Sequence, residues 1–348
     1  MTTTELPDSA RTSALADDLR DFLAAQLPSD AEPRVLTVRR AGTGSSRENW
    51  PFDAEWSENG IRSVHRLLMR RDPPASVVDT TRSTEFALLH RLRDTGLPVP
   101  QVHWLDDDGS RLSRPTMIVT RYDGEADRAV LRPSDPLKLG TAGQLRLAER
   151  MCDVLCDLHA VDVASTGIRE VLPDPGPEPA ATELAHWTGE LDAQELEPHP
   201  ELRYAVSWLR ENLPPPPPVT VLVHGDYRPA NMLIDGGRLA VVLDWELAHL
   251  GDPVDDLGWY TTPLYRREHF VAGSWQPADF IRRYVERTGI SVDPATLHFW
   301  QVLSTFRLAV IALTGIRAFV TGASDRAAAS ADYVINEVLS AIAHEEMS

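Results

Sequence analysis

Residues 219–244 place a cluster of polar side chains between apolar strands. The run Val219–Val223 reads VTVLV and predicts a buried strand. It is followed by HGDYRPA and by two more strand-like runs, NMLID and RLAVVLD, which are joined by a glycine pair. A glycine pair between two short apolar runs favours a β-hairpin. The polar cluster is therefore either a satisfied turn at the end of a strand or a reaction centre.

The hairpin can bring three polar side chains to one end of its sheet. Asp226 and Asn231 are separated by four residues in the loop, and Asp244 closes the strand after the glycine turn. A carboxylate and an amide oxygen suit Mg²⁺, which shares its coordination with water and substrate phosphates. The remaining aspartate can accept a proton from an attacking hydroxyl. This arrangement is the one that phosphoryl transfer of the protein-kinase type requires.

Composition excludes several other classes of function. The chain has 348 residues, of which 43% are hydrophobic and 25% charged, as in an ordinary soluble protein with room for two lobes. Its formal net charge of −18 argues against nucleic-acid binding, which depends on clustered lysine and arginine. The N-terminus is acidic and polar, and the longest strongly apolar run, Leu308–Ile316, is too short to span a bilayer. We therefore expect a cytoplasmic protein without a membrane partner.

The periodicity of the chain predicts an α+β fold with two lobes. After an N-terminal helical extension over residues 1–33, residues 34–122 form a small antiparallel β N-lobe with one helix. Residues 123–348 form a larger, mainly helical C-lobe that contains the catalytic β-hairpin. The strands expected in the N-lobe are Arg34–Arg40, Asn49–Trp56, Ser63–Arg70, Gln101–Asp106 and Thr116–Tyr122, and its helix is Thr80–Thr95.

Two segments together resemble a known family. HGDYRPANMLID and VVLDWELAHLGDPVDDLGW resemble the aminoglycoside phosphotransferase and choline-kinase-like enzymes, which are relatives of protein kinases. The segments GTGSSRENWPFDAEW and DWELAHLGDPVDDLGW resemble the branch whose kinase-like domains are fused to acyl-CoA dehydrogenases. The likeness covers residues 34–348 and implies a bilobal protein-kinase-like fold with ATP between the lobes. It also implies that Asp226 is the base and that Asn231 and Asp244 bind Mg²⁺.

The same resemblance implies a set of nucleotide-binding residues. Arg70 stands on the third strand where the family has a phosphate-pairing lysine, and Glu85 on the following helix is its expected ion-pair partner. A surface arginine and a surface glutamate are the alternative. A glycine- and serine-rich loop is expected to cover the phosphates, and the end of the last N-lobe strand to contact the adenine. The residues concerned are Gly42, Thr43, Gly44, Ser45, Ser46, Val119, Thr120, Arg121 and Tyr122.

Two departures from protein kinases indicate a small-molecule substrate. Gly225 stands where an arginine commonly precedes the catalytic aspartate, and Asp244-Trp245-Glu246 replaces Asp-Phe-Gly. We expect His224 to brace the loop through hydrogen bonds, Asp252 to cap the helix that opens at Pro253, and Asp256 to lie buried under the loop.

The leading hypothesis is an ATP- and Mg²⁺-dependent phosphotransferase, a monomer or homodimer, that acts on a hydroxyl of a small molecule. The acceptor is an aminoglycoside, a hydroxyacyl-CoA or another hydroxylated metabolite. One alternative is a nucleotide-binding pseudokinase without turnover, which Arg70 favours. Another is a metallophosphoesterase, suggested by the aspartates and histidines of HGD and GDPVDD.

Overall fold

The computed structural model describes residues 8–41, 48–71, 82–324 and 330–346. The chain divides into two compact units. Unit 1 comprises Met1–His90 and Pro100–Asp123, and unit 2 comprises Arg91–Val99 and Gly124–Ser348. Each unit is built around its own set of secondary-structure elements.

One antiparallel sheet of five strands organises unit 1, in the order β1-β2-β3-β5-β4. The two longest strands pair residue for residue across a tight turn at Asn59-Gly60, where both residues have positive φ. Such a turn matches the twist of the strands that it joins. The strands are β1 Arg34–Val38, β2 Glu48–Glu58, β3 Ile61–Arg71, β4 Val102–Asp106 and β5 Thr116–Thr120.

Helix α1 (Asp8–Gln26) contributes four buried residues to the core of unit 1, and α2 (Arg82–Leu92) follows β3. Leu19 and Leu23 lie one turn apart on α1 and are fully buried. They belong to the same apolar cluster as Phe52 and Met69, which project from β2 and β3. The apolar stripe of the helix thus covers one face of the sheet.

Unit 2 is mainly helical and contains two short antiparallel sheets, β6–β9 and β7–β8. The second is the expected hairpin, with Gly236 and Gly237 both at positive φ in its turn. The helices are α3 Gly140–His159, α4 Pro179–Gln194, α5 Pro200–Glu211, α6 Val254–Thr261, α7 Arg266–His269, α8 Pro277–Thr288, α9 Pro294–Val320 and α10 Asp332–Glu346. The strands are β6 Val221–Val223, β7 Met232–Asp235, β8 Arg238–Val242 and β9 His249–Gly251.

The longest helix, α9, forms much of the core of unit 2. It begins at Pro294 after Asp293, whose carboxylate accepts the Thr296 N–H at 2.9 Å. Its length and composition would suffice to cross a membrane, and 56% of its most apolar window is buried inside the protein. It packs against α4, α5, α6 and α10 and carries a buried, paired Arg307. These are features of a core helix.

The architecture confirms the predicted fold class. Unit 1 carries the small antiparallel sheet, and unit 2 carries the helices and the hairpin. Helix α4 and strand β9 were not expected from the sequence pattern.

Candidate active site

The loop that follows β6 is fixed by its own histidine. His224 is fully buried, and its Nε2 donates to the carbonyl of Leu243 at 2.9 Å. Its Nδ1 accepts the backbone N–H of Asp226 at 3.2 Å. Burial lowers the pKa of His224, which agrees with a neutral ring that donates at one nitrogen and accepts at the other. His224 therefore braces the loop, as predicted.

Gly225 occupies a position that only glycine fits. Its φ is +80°, and a Cβ atom there would lie 2.4 Å from the carbonyl oxygen of Leu247. An L-residue would be strained by this backbone conformation and would also clash with the neighbouring backbone. The backbone of this loop therefore does not accommodate an arginine at position 225.

Asp226 is held by two neighbours in the same loop. Asn231 donates from its side-chain nitrogen to Oδ2 of Asp226 at 2.6 Å and to its backbone carbonyl at 2.9 Å. Arg228 Nε lies 2.9 Å from the other carboxylate oxygen, Oδ1. Burial raises the pKa of Asp226 to about 6, against the opposing effects of Arg228 and Asn231. The carboxylate is thus oriented and mostly ionised at neutral pH.

The hairpin brings Asn231 and Asp244 to the same end of its two strands. Met232 pairs with Val242, and just beyond this pair the Leu243 N–H donates to the Asn231 carbonyl at 2.7 Å. Asp244 follows in a left-handed conformation, with φ 57° and ψ 68°. Its charge is among the smaller influences that raise the pKa of Asp226 after burial. The three predicted residues of unit 2 therefore lie together.

The side-chain oxygen atoms at this end of the hairpin are suitable ligands for a divalent cation. The side-chain nitrogen of Asn231 faces Asp226, so its oxygen points away from that carboxylate. An amide oxygen and the Asp244 carboxylate are the hard ligands that Mg²⁺ prefers. Oδ1 of Asp226 is buried and has no aligned hydrogen bond within the described part of the chain.

A carboxylate of α6 holds the loop from below. Asp256 accepts the backbone N–H groups of His224 at 2.8 Å and Gly225 at 3.0 Å. His159 Nε2 lies 3.1 Å from the same carboxylate, and His159 Nδ1 lies 2.7 Å from the Tyr284 hydroxyl. Burial alone would raise the pKa of Asp256, but the attraction of His159 outweighs it and the pKa is lowered. We call Asp256, His159 and Tyr284 the Asp256 cluster.

The preceding residue, Asp255, belongs to a separate cluster of charged side chains. Arg307 Nη1 donates to both oxygens of Asp255, at 2.8 and 3.0 Å, and His249 Nε2 lies 3.2 Å from Oδ2. Glu183 lies 3.8 Å from the same imidazole nitrogen and 3.9 Å from Arg307. Burial alone lowers the pKa of His249, but Glu183 and Asp255 outweigh it and raise the pKa to about 9. We call Glu183, His249, Asp255 and Arg307 the Asp255 cluster.

Sequence reasoning missed the Asp255 cluster. Its four members come from α4, β9, α6 and α9, of which only β9 and α6 are neighbours in the chain. The only local signal was the second acidic residue in GDPVDD beside Asp256. By contrast, Asp252 lies just before α6, and its Oδ1 accepts the N–H of the first helical residue, Val254, at 2.8 Å, although Pro253 occupies the cap position that was predicted for Asp252.

In unit 1, Arg70 and Glu85 form the ion pair that the sequence predicted. Arg70 Nη1 donates to Glu85 Oε1 at 2.9 Å, and their side chains are 9% and 1% exposed. The alternative of two surface residues is therefore wrong. A second guanidinium, that of Arg82, donates to the other Glu85 oxygen at 3.1 Å and was not foreseen.

The segment expected to contact adenine ends β5. The N–H groups of Thr120 and Arg121 already donate to the carbonyls of Gln101 and Arg66, both at 2.9 Å. The Tyr122 hydroxyl accepts the Gln101 N–H at 3.2 Å, and Val119 is buried in the sheet. The expected phosphate-covering residues Gly42, Thr43, Gly44, Ser45 and Ser46 lie outside the described residues.

Residues 37–300 match the phosphotransferase enzyme family. The chain belongs to that family. The predicted family and the prediction of a small-molecule phosphotransferase are thereby confirmed. The match includes β6, the loop, the hairpin and α6, and it extends through unit 1 from β1 onwards.

Known proteins similar to this phosphotransferase agree with its fold. A solved putative aminoglycoside phosphotransferase from Ralstonia eutropha is 23% identical, with a TM-score of 0.69 over 93% of this chain and 95% of its own. The streptomycin–ATP–APH(2″)-IIa ternary complex is 15% identical, with a TM-score of 0.55 over 89% and 91%.

Mouse acyl-CoA dehydrogenase family member 10 is 27% identical over 81% of this chain. The chain spans about a quarter (27%) of the length of that relative.

Proposed function

We propose that this phosphotransferase moves the γ-phosphoryl group of ATP to a hydroxyl of a small molecule, with Asp226 as the general base. The observation that carries the proposal is the Asp226 carboxylate, whose side chain is 15% exposed and oriented by Asn231, and which lies close enough to Asp244 for that charge to raise its pKa. A base must be held in one position and be ionised to take a proton from an alcohol. Asp226 meets both conditions.

Asn231 and Asp244 are the residues that would hold Mg²⁺. When bound, the ion neutralises charge on the nucleotide phosphates. Asn231 has a second task, because the same side chain donates to Asp226 and so links the position of the base to the end of the hairpin. The intact set of Asp226, Asn231 and Asp244 favours turnover over a pseudokinase.

Unit 1 offers groups for the nucleotide. Arg70 is held by Glu85, and guanidinium groups bind phosphate oxygens well, often through two parallel hydrogen bonds. The N–H groups of Thr120 and Arg121 are engaged within the unit, which leaves the backbone of Tyr122 as the first candidate for contact with adenine. The ATP complex of the structurally similar APH(2″)-IIa supports a nucleotide for this chain too.

One arginine beside Asp226, and two more that share Glu268, favour an anionic acceptor over a polycationic aminoglycoside. Arg228 lies beside both Asp226 and Tyr265, whose hydroxyl is 3.3 Å from Nη1. Arg128 and Arg132 both pair with Glu268, and Arg128 keeps 66% of its side chain exposed. The similarity to acyl-CoA dehydrogenase family member 10 supports a hydroxyacyl-CoA or a related hydroxylated acid as the acceptor.

The test is a screen for ADP release from MgATP with hydroxyacyl-CoA thioesters, free hydroxy acids and aminoglycosides. We expect activity with the anionic acceptors, and Asp226→Asn should reduce kcat by about 10²- to 10⁴-fold with the fold retained. Asp235→Asn, at the exposed end of the same hairpin, is the matched control and should keep the wild-type rate.

Each of three results would contradict part of the proposal. Transfer by Asp226→Asn at the wild-type rate would remove Asp226 as the base. Activity with aminoglycosides alone would overturn the anionic acceptor. MgATP binding without ADP release with any acceptor would indicate a pseudokinase.

A further inference from the structure

Arg307 connects the core of unit 2 to the loop that carries Asp226. Its side chain is 1% exposed, and its Nη2 donates to the backbone carbonyl of Gly225 at 2.8 Å. Its other terminal nitrogen, Nη1, makes the two bonds to Asp255. Arg307 and Gly225 are 82 positions apart in the sequence, so this contact depends on the tertiary fold.

The guanidinium group is held in one orientation. Its central carbon lies 4.9 Å from the ring centroid of Trp259 and 5.8 Å from that of Trp187. Arginine stacks well on aromatic faces because its plane is delocalised and weakly hydrated. The two bonds to Asp255 fix the remaining rotation. These contacts therefore direct the Nη2 donor toward Gly225 independently of its hydrogen bond to the loop.

A metal ion is a poorer account of the same cluster. Glu183, His249 and Asp255 offer ligand atoms within 4.8 Å of one another, which by residue type could hold a cation. Arg307 already occupies both oxygens of Asp255 with a positive charge. A protonated His249 supplies the second positive charge, so two carboxylates are balanced by two cationic side chains. The cluster is electrically complete without a metal.

Both polar backbone groups of Gly225, its N–H and its carbonyl, are therefore hydrogen-bonded. Its N–H donates to Asp256, and its carbonyl accepts from Arg307. The peptide that follows contains this carbonyl and the N–H of Asp226, which donates to His224. A peptide group is planar, so fixing both of its polar atoms fixes the plane from which the Asp226 side chain departs.

We propose that Arg307 is a positioning residue that sets the Gly225–Asp226 peptide plane and thereby aims the Asp226 carboxylate. The proposal rests on the function assigned to Asp226 above. A buried ion pair alone adds little net stability compared with apolar packing. The contact with the loop supplies a reason for burying a guanidinium group in the middle of an apolar helix.

The experiment compares Arg307→Lys and Arg307→Met with Arg317→Met, a matched change on the same helix. Lysine keeps the charge, but its single ammonium group cannot reproduce the two-sided fork that reaches Asp255 and Gly225 together. Two quantities are measured in parallel. One is the hydrogen-exchange rate of the backbone amides of Gly225 and Asp226, and the other is kcat and KM with MgATP and the best acceptor from the screen.

We expect Arg307→Lys to remain folded and to exchange these two amides about tenfold faster, since a hydrogen bond to a charged donor is lost. Its kcat should fall about 10- to 100-fold while KM for MgATP stays within about threefold, as when a reacting group is displaced slightly. Arg307→Met should show a larger loss of kcat, and Arg317→Met should match the wild type in both measurements.

The outcomes separate this proposal from the function on which it rests. Faster loop exchange in Arg307→Lys, with no phosphoryl transfer by the wild type, would refute the function of Asp226 but keep the anchoring of the loop. Wild-type exchange and wild-type kcat in Arg307→Lys would overturn the positioning role. If Arg307→Met fails to fold, the lysine variant still decides between these results.

Discussion

Two adjacent carboxylates of α6 hold the same loop in different ways. Asp255 and Asp256 are both fully buried. Asp256 accepts two N–H groups of the loop directly, whereas Asp255 reaches the loop only through Arg307, which donates to a carbonyl. Asp256 thus accepts hydrogen bonds from N–H groups of the loop. Asp255 instead orients the Arg307 guanidinium, which donates to the Gly225 carbonyl.

The two contacts with the loop differ in how far they depend on the charge of titratable side chains. Asp256 binds the loop through two backbone N–H groups, which do not titrate. The Asp255 cluster works through four ionisable side chains, and its balance of charge depends on the proton of His249. We therefore expect the first anchor to be constant between neutral and alkaline pH, and the second to weaken as pH rises.

The largest effect is expected from Asp256→Asn. The amide offers one acceptor in place of two, so a buried N–H of the loop loses its partner and His159 loses an anionic neighbour. Breaking a buried pair in this way costs about 3–5 kcal/mol. Urea denaturation at pH 7 and pH 9 should give the same loss at both values. A loss that changes strongly over this range would contradict the comparison.

His249→Gln should give a smaller effect that depends on pH. The folded pKa of about 9 lies above the ordinary value of 6.5, because Glu183 and Asp255 overcome the opposing effects of burial and Arg307. The stabilisation is fully present below about pH 6.5 and is lost as pH rises through 9. At about 1.4 kcal/mol per pKa unit, the variant should lose up to roughly 3 kcal/mol at pH 6.

The free energy of unfolding of wild type and His249→Gln should converge above pH 9, as measured by urea denaturation at each pH. A constant difference from pH 6 to pH 10 would mean that His249 contributes by packing alone.

Glu183→Gln should give the smallest effect. Glu183 lies at the edge of the Asp255 cluster, 14% exposed and nearly 4 Å from its ionic partners. Its bond with the Trp187 indole, at 3.2 Å, can be kept by the amide oxygen. We expect the free energy of unfolding to fall by about 1 kcal/mol. The pKa of His249 should also fall, which an NMR titration of the imidazole would measure. An unchanged pKa would remove Glu183 from the cluster.

The parts of the site that the sequence predicted are those whose residues lie close together in the chain. Asp226, Asn231 and Asp244 fall on a single loop and hairpin, and the glycine turn alone brings them to one end. The Arg70–Glu85 pair followed from the resemblance to a family, since strand and helix positions carry over. The hairpin and the five-stranded sheet followed from alternation and glycine turns.

The parts that escaped prediction depend on long-range packing. Arg307 lies in an apolar run, where nothing local distinguishes a functional arginine from a helix-end cation. His249 precedes GDPVDD and gives no sign of its distant partners. Arg82 shares Glu85 with Arg70, which only the turn of α2 reveals. Strand β9 has three residues, too few for a periodic signal.

Arg307 comes 82 positions after Gly225 in the chain and is therefore synthesised later. A ribosome delivers the loop and hairpin well before α9, and domains acquire their structure as the chain emerges. During that interval the Gly225 carbonyl has no guanidinium partner from α9. A nascent chain that already contains Asp226, Asn231 and Asp244 therefore lacks the Arg307 contact that we propose aims Asp226. If Arg307 positions Asp226 as proposed, we expect catalytic competence only after α9 has packed into the core.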